Sequence, residues 1–295
     1  MGLYEKASEE RDFDFWRVRV REASRAELER LSAQRGLSLS LREMQLVQDY
    51  YRKIGRDATD VELEAIAQTW SEHCGHKTFK GAFAVVERDE RGREKKSKVD
   101  NLFETFIARA TKEIAAPWCY SVFEDNAGIV DFEGDWALAF KVETHNHPSA
   151  LEPFGGAATG IGGVIRDVLG VWAEPIANTD VLCFGPLDLP ERSLPSGVKH
   201  PRFIFSGVVA GIACYGNNMG IPTVNGAVFF HENYVGNPLV YCGTLGLLKK
   251  THYYRRAQAG DALVLVGGRT GRDGIHGVTF ASAALHEKSE ETSRT

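Results

Sequence analysis

Paired cysteines are missing from this sequence. Its five cysteines, Cys74, Cys119, Cys183, Cys214 and Cys242, are widely spaced with no C-x-x-C pair. An odd, scattered set excludes a sequence-local structural zinc site and points to reduced thiols rather than a disulfide framework. Long apolar runs are missing too. The strongest candidate, FIFSGVVAGIACYG at residues 203–216, is too short and glycine-rich to cross a bilayer. The first residues, MGLYEKASEERDFDF, are acidic and lack the apolar centre of a signal peptide. No basic surplus exists: the net charge of −5 argues against a general nucleic-acid binder. Small anionic ligands stay open, because a pocket can be basic on an acidic protein. These absences lead us to expect a cytoplasmic protein with no membrane and no nucleic-acid partner.

What is present suffices for a core. The 295 residues are 43% hydrophobic and 25% charged, ordinary values for a globular chain of about two domains. FDFWRVRV (13–20) alternates as a half-buried strand does. Ser24 with Glu27, Ser40 with Glu43 and Thr59 with Glu62 have capping-box spacing and predict three helix starts. Gly36 and Gly55 follow the first two helical runs, where left-handed helix ends favour glycine. On the third helix, Val61, Ala65, Ile66, Thr69 and Trp70 are expected to share the buried side. That helix runs out at SEHCGHK (71–77), carrying His73 and His76.

Beyond Phe83 the pattern alternates. Strands are predicted at FAVVE (83–87), YSVFE (120–124), WALAFKVETH (136–145), TVNGAVFF (223–230), PLVYCGTLGLL (238–248) and ALVLVGG (262–268). A helix is predicted over NLFETFIARATKEI (101–114), and a long proline-containing loop over 183–197. No short repeat is visible. The order implies an α+β or mixed α/β fold, with a boundary near Ala257–Asp261 and a solvated tail in HEKSEETSRT.

Three stretches carry chemistry. In KVETHNHPS (141–149), alternation along the preceding strand sorts the side chains. Trp136, Leu138, Phe140 and Val142 share what reads as the core face. Ala137, Ala139, Lys141, Glu143 and His145 share the other. An amine, a carboxylate and an imidazole in one row suit a charged ligand and a divalent cation, whereas an edge strand with a wet face is the bland alternative. Pro148 is expected to turn the chain and gather His145 and His147. The second stretch, FGGAATGIGGVIRDVLG (154–170), has glycines that would let backbone amides approach phosphate, although tight packing explains such glycines equally well. It matches neither Walker A nor G-x-G-x-x-G spacing. Its Arg166 suits a phosphate and its Asp167 suits Mg²⁺, unless the two form a surface ion pair. The third, GGRTGRDGIHG (267–277), with Arg269, Arg272 and Asp273, is either an anion-accommodating loop or a flexible turn. The string His-Asn-His also raises a metal-dependent nuclease, which the acidic balance and the following proline disfavour.

Together, SEHCGHK, KVETHNHPSALEPFGGAATGIGGVIRD (141–167) and GGRTGRDGIHG, in that order, resemble the synthetase subunit or domain of phosphoribosylformylglycinamidine synthase. The resemblance runs from about Leu37 to the last residue and covers only the first portion of the family's longer chain. It implies a short strand–helix segment (1–36), a helical linker (37–82), an aminoimidazole ribonucleotide synthetase-like N-terminal domain binding ATP and Mg²⁺ (83–258) and the beginning of its C-terminal domain (259–295). The implied reaction joins formylglycinamide ribonucleotide and ammonia from glutamine at the expense of ATP, through an iminophosphate, giving formylglycinamidine ribonucleotide. A glutaminase subunit or domain and a small bridging subunit are the implied partners. Matched by motif, His73 and His145 fall on catalytic positions, with His145 the proton acceptor. His76 and Lys141 fall on ATP contacts, and Glu143 and Asp167 on Mg²⁺ ligands. Thr144, His145, Asn146, His147 and Arg166 fall on substrate contacts. Many relatives carry tyrosine where this sequence has His76. Because downstream segments are absent, the chain alone is expected to be weakly active or inactive. A non-catalytic binding fragment and another member of the same superfamily are the competing readings.

Overall fold

A computed structural model describes residues 3–6, 15–252, 256–269, 274–275, 277–281 and 284–292. Phe13 and Asp14 of the first expected strand and Arg272 and Asp273 of the third stretch lie outside the described residues. The chain divides into two compact units. One comprises Met1–Arg109, Thr270–Ala284 and Ser293–Thr295; the other comprises Ala110–Arg269 and Leu285–Thr292.

In the first unit, β1 (Tyr4–Lys6), β2 (Trp16–Val18) and β3 (Ala58–Thr59) form an antiparallel sheet. Helices α1 (Arg25–Gln34), α2 (Leu41–Ile54) and α3 (Asp60–Thr69) each begin with the expected reciprocal capping box. Each box satisfies backbone donors that a helix start leaves open. Gly55 closes α2 with φ of 74°. The core joins Val18 and Val20 to Leu28, Leu31, Met44 and Leu63. Gln48 reaches into it and donates to the carbonyls of Val20 and Ala23 at 2.7 and 2.8 Å, pairing groups that burial would otherwise leave unsatisfied. The buried side of α3 is Leu63 and Ala67, with Ile66 beside them; Val61, Ala65, Thr69 and Trp70 are exposed. Two apolar stripes at helical spacing overlapped there, and the one containing leucine is the one that packs. After the short helix α4 (Glu72–Gly75), β4 (Ala82–Arg88) and β5 (Glu94–Asp100) make a solvated hairpin. The run predicted as one helix over 101–114 is a π-helical segment, Phe103–Ala108, continuing into α5 (Arg109–Ile114).

The second unit is a six-stranded sheet with helices against it. Its elements are β6 (Cys119–Ser121), β7 (Gly128–Asp131), β8 (Trp136–Thr144), α6 (Asn146–Leu151), α7 (Pro153–Gly170), β9 (Glu174–Phe184), α8 (Pro201–Met219), β10 (Thr223–Phe230) and β11 (Leu239–Lys249). The strand order is β10-β9-β11-β8-β7-β6. Only the β9–β10 pair is parallel, and α8 is its crossover. The last strand in sequence therefore sits between two earlier ones. Ala157, Ile161, Val164 and Ile165 of α7 pack with Ile204, Val208 and Ile212 of α8 and with Leu182, Phe184 and Val240 of the sheet.

Three expectations fail in this unit, and one open alternative is decided. The faces of β8 are reversed: Ala137 and Ala139 are fully buried, while Trp136, Phe140 and Val142 are 42–44% exposed. Small alanines let a helix lie close, so the alanine side became the core, joined by Val168, Val171 and Leu248. The glycine-rich stretch is the interior of α7, not a phosphate loop. Residues 262–266 form no strand, and Leu263–Val266 stand 74–103% exposed, with no neighbouring strand among the described residues to bond them. The terminal segment is not wholly solvated: Ser289 is buried and Glu290 pairs with Lys199 at 3.3 Å. Among the described residues, no helix is long and apolar enough to cross a membrane.

Candidate functional site

His73 and His76 belong to the first unit. Ser71 caps α4 by accepting the Cys74 amide at 3.1 Å, and Glu72 accepts the amide and hydroxyl of Thr78. His76 ends the helix in a left-handed conformation at φ 50°. The following lysine, Lys77, pairs with Glu43 at 2.8 Å, which ties this turn to the head of α2. Burial opposes ionisation of Glu43, but Lys77 and Ser40 together hold its carboxyl below the usual range. Both imidazoles are exposed on a turn fastened at each end.

The second unit holds the other candidates. Lys141 on β8 places its Nζ 3.4 Å from Glu143 Oε2 and 3.0 Å from Asp167 Oδ2 of α7. Two carboxylates from different elements thus lie within about two hydrogen-bond lengths of each other. Burial lowers the Lys141 pKa, yet the hydrogen bond it donates to Asp167 and the charges of Glu143 and Asp167 outweigh it and leave it raised. The ammonium is firmly charged. Arg166 does not pair with its neighbour Asp167: it is exposed and has no ion-pair partner among the described residues.

Thr144, His145, Asn146 and His147 form the turn from β8 into α6, all half-buried. Pro148 lies inside the first turn of α6 rather than breaking the chain before it. The turn is pinned to β11. His145 N–H donates to the Val240 carbonyl at 2.9 Å, and the Val240 N–H donates to Asn146 Oδ1 at 2.7 Å. The Ser149 hydroxyl donates to the His145 carbonyl at 2.6 Å.

The glycines of α7 now have a purpose. A Cβ on Gly160 would come 3.0 Å from Cys242 Sγ and 3.1 Å from His145 Cβ, and one on Gly156 would strike the backbone at Ser149. Their absence lets the His145 turn lie against the helix. From Gly160 to Asp167 is about 10 Å of helix, and from His145 back to Lys141 about 13 Å of strand. The two run in opposite directions, so Gly160 meets His145 and Asp167 meets Lys141. One strand and one helix align an imidazole, an amine and two carboxylates.

Such a donor set suits a hard cation. Among the described residues no group of three or more His, Cys, Asp or Glu could enclose a metal, which disfavours zinc. Two carboxylate oxygens around an existing positive charge match Mg²⁺, which commonly takes one or two carboxylates and completes its shell with water and phosphate.

Known proteins share this arrangement's sequence. Residues 124–248 match AIR synthase related protein, N-terminal domain, and residues 28–77 match the formylglycinamide ribonucleotide amidotransferase linker domain. Phosphoribosylformylglycinamidine synthase subunit PurL of Thermoplasma acidophilum is 42% identical over 273 residues, 92% of this chain. The chain belongs to the phosphoribosylformylglycinamidine synthase synthetase family. The PurL subunit of Picrophilus torridus is 46% identical over 259 residues, 87% of the chain. This chain spans 31–32% of the length of those two PurL subunits. Among solved structures, T. maritima PurL complexed with FGAR aligns with a TM-score of 0.53 at 34% identity, covering 82% of this chain and 32% of that one. T. maritima PurL complexed with ATP aligns with a TM-score of 0.52 at 34% identity, covering 86% and 36%. The mixed α/β fold is shared with the aligned part of these PurL structures.

Sequence reasoning missed Asp180 and Cys242, which are buried face to face on β9 and β11. The signal was there as parity: Asn178, Asp180, Leu182 and Phe184 alternate onto one buried side, but two polar residues among them hid the strand.

Proposed function

We propose that this chain supplies the nucleotide-phosphate end of an ATP-dependent amidation in purine biosynthesis, converting formylglycinamide ribonucleotide and ammonia to formylglycinamidine ribonucleotide, ADP and phosphate. The observation that carries the reading is the Lys141 ammonium held between Glu143 and Asp167. The family supports it, as do PurL structures complexed with FGAR and with ATP. The remaining length of the relatives would supply the rest of the site, and glutamine hydrolysed by a glutaminase subunit would supply the ammonia, with a small bridging subunit as a further partner. The reaction would take place in the cytoplasm.

In this reading the γ-phosphoryl group passes to the substrate amide oxygen and ADP leaves. Ammonia then adds to the activated carbon, and the C–O bond to phosphate breaks with loss of a proton. Mg²⁺ would be held by Glu143 and Asp167 and would supply charge neutralisation on the phosphate oxygens. Lys141 offsets further charge on the transferring group. His145, fixed by Val240 and Ser149, accepts a proton as a neutral imidazole. Thr144, Asn146 and His147 line the substrate beside it, and exposed Arg166 forks onto the substrate phosphate. His73 and His76 add a catalytic imidazole and a nucleotide contact.

Calorimetric titration of the chain with ADP, with and without Mg²⁺, tests the carboxylate roles. Glu143→Ala and Asp167→Asn should each weaken the Mg²⁺-dependent part at least tenfold, about 1.4 kcal/mol. Equal affinities in wild type and both variants would remove the assignment. A second reading, binding without turnover, is favoured by the 31–32% coverage of the relatives. ADP release with substrate, ammonia and Mg²⁺·ATP separates the two, since sustained turnover rejects the binding-only module.

A further inference from the structure

The helix side of the sheet contains a second place built for a ligand. Between α8 and strands β9 and β10 lies an open cavity of about 600 Å³, within the size range of small-molecule sites. Its walls are apolar, chiefly Ile212, Ile221, Val224 and Val228, and Asp180 lines it among them. Asp180 is 6% exposed. Its Oδ2 takes only a long hydrogen bond from the Thr223 hydroxyl at 3.4 Å, and its Oδ1 makes none. Across the parallel pair, the residue beside Asp180 on β10 is Gly226, where a Cβ would strike the Asp180 backbone carbonyl. On the other flank stands Cys242 of β11. No charged residue other than Asp180 lines the cavity.

An anionic group in that position is out of balance. Taking a carboxylate from water into apolar surroundings without a partner is costly. Burial pushes the Asp180 carboxyl up to about 6, although the Thr223 hydroxyl and the nearby Gly243 amide pull the other way. No cationic side chain lines the cavity to balance it. Structural carboxylates in cores are ordinarily paired or multiply hydrogen-bonded.

We propose that this cavity binds a small organic cation, an amidine or primary amine, with its N–H head on Asp180 Oδ1 and an apolar body against Ile212, Ile221 and Val224. Asn217 and Asn225, which also line the cavity, offer polar contacts around the head. The site owes nothing to the Lys141 cluster. It stands whether or not the amidation reading holds.

Benzamidine is a suitable probe, with uncharged benzamide as its near-isostere. Methyl NMR of the full 295-residue chain at pH 7.5 should show saturable shifts at Ile212, Ile221 and Val224 on adding benzamidine. Benzamide should bind at least tenfold more weakly, and Asp180→Asn should reduce benzamidine affinity by a similar factor. Ala213→Trp, which narrows the cavity from exposed α8 while leaving the carboxylate, should also abolish the shifts, and it decides the matter if the Asp180 variant does not fold. Equal binding of benzamide, unchanged affinity in either folded variant, or no saturable shift at tens of millimolar benzamidine overturns the proposal.

Discussion

Two glycines in one helix separate packing from propensity. Gly160 of α7 has Cys242 and His145 where a Cβ would go, whereas Gly163 has nothing within 4 Å. Alanine gains about 1 kcal/mol over glycine in a helix interior, and overpacking costs about 1–3 kcal/mol. Gly163→Ala should therefore raise stability by about 0.5–1 kcal/mol, while Gly160→Ala should lower it, both read from urea midpoints. Gly160→Ala should in addition move the His145 ring resonances, and Gly163→Ala should not. Asn146 invites a similar comparison. Its Oδ1 accepts the Val240 amide, so Asn146→Asp keeps the acceptor and Asn146→Ala loses it. The alanine variant should speed hydrogen exchange at Val240 and the aspartate variant should leave it near wild type; matching rates in both would show the bond to be idle. At this scale the sequence was informative where parity suffices. Period two put Lys141 and Glu143 on one side of β8. It left partners open: Asp167 was read as a Mg²⁺ ligand with an ion pair to Arg166 as the alternative, and the helix turns it to Lys141 instead of Arg166. For Asn146, expected at a ligand contact, the sequence did not show that its Oδ1 also holds β11.

Helix starts illustrate how local rules succeed. All three capping boxes form because the donors and acceptors lie within four residues and need no tertiary help. Thr59→Ala should cost about 1 kcal/mol. Glu62 of the same box also meets Arg56, whose hydrogen bond is the main reason its carboxyl sits at about 2 rather than 4.5. A carboxyl lowered in the folded state stabilises above its unfolded value and loses that contribution as pH falls through its folded value. Stability should accordingly decline between about pH 4.5 and 2, and Glu62→Gln, which retains capping geometry, should flatten part of that decline in acid titrations followed by circular dichroism. Strands were less legible. β9 was overlooked because Asn178, Thr179 and Asp180 interrupt its apolar alternation, and β7 because it is four residues long. The faces of β8 came out reversed because large side chains were equated with the core. In truth the helix above chose the side with methyl groups.

The sheet unit also presents an outward surface that its own helices do not cover. Trp136, Phe140 and Val142 of β8 share it with Tyr241 of β11 and Val181 of β9, each at least 37% exposed. Lys249 shields one end by lying 3.7 Å from the Trp136 ring centre. Beside it, β10 is an edge strand with Val224, Val228, Phe229 and Phe230 exposed and none of the charges or prolines that blunt such edges. Contiguous apolar surface of this kind seeks cover. The chain should associate reversibly as its concentration rises, and Phe140→Glu should shift sedimentation velocity profiles toward monomer. A monomeric wild type across the micromolar range would count against this.

The position of β11 has a consequence during synthesis. Ribosomes at about 5–20 residues per second finish β8 roughly five to twenty seconds before they finish β11. Late in that interval, once β10 is made and before β11 follows, the nascent chain owns two separate half-sheets, β6–β7–β8 and β9–β10, with no strand to bridge them. Any stalled product ending before Leu239 would keep both inner edges open, so the last strand made is the clasp on which co-translational folding of this unit depends.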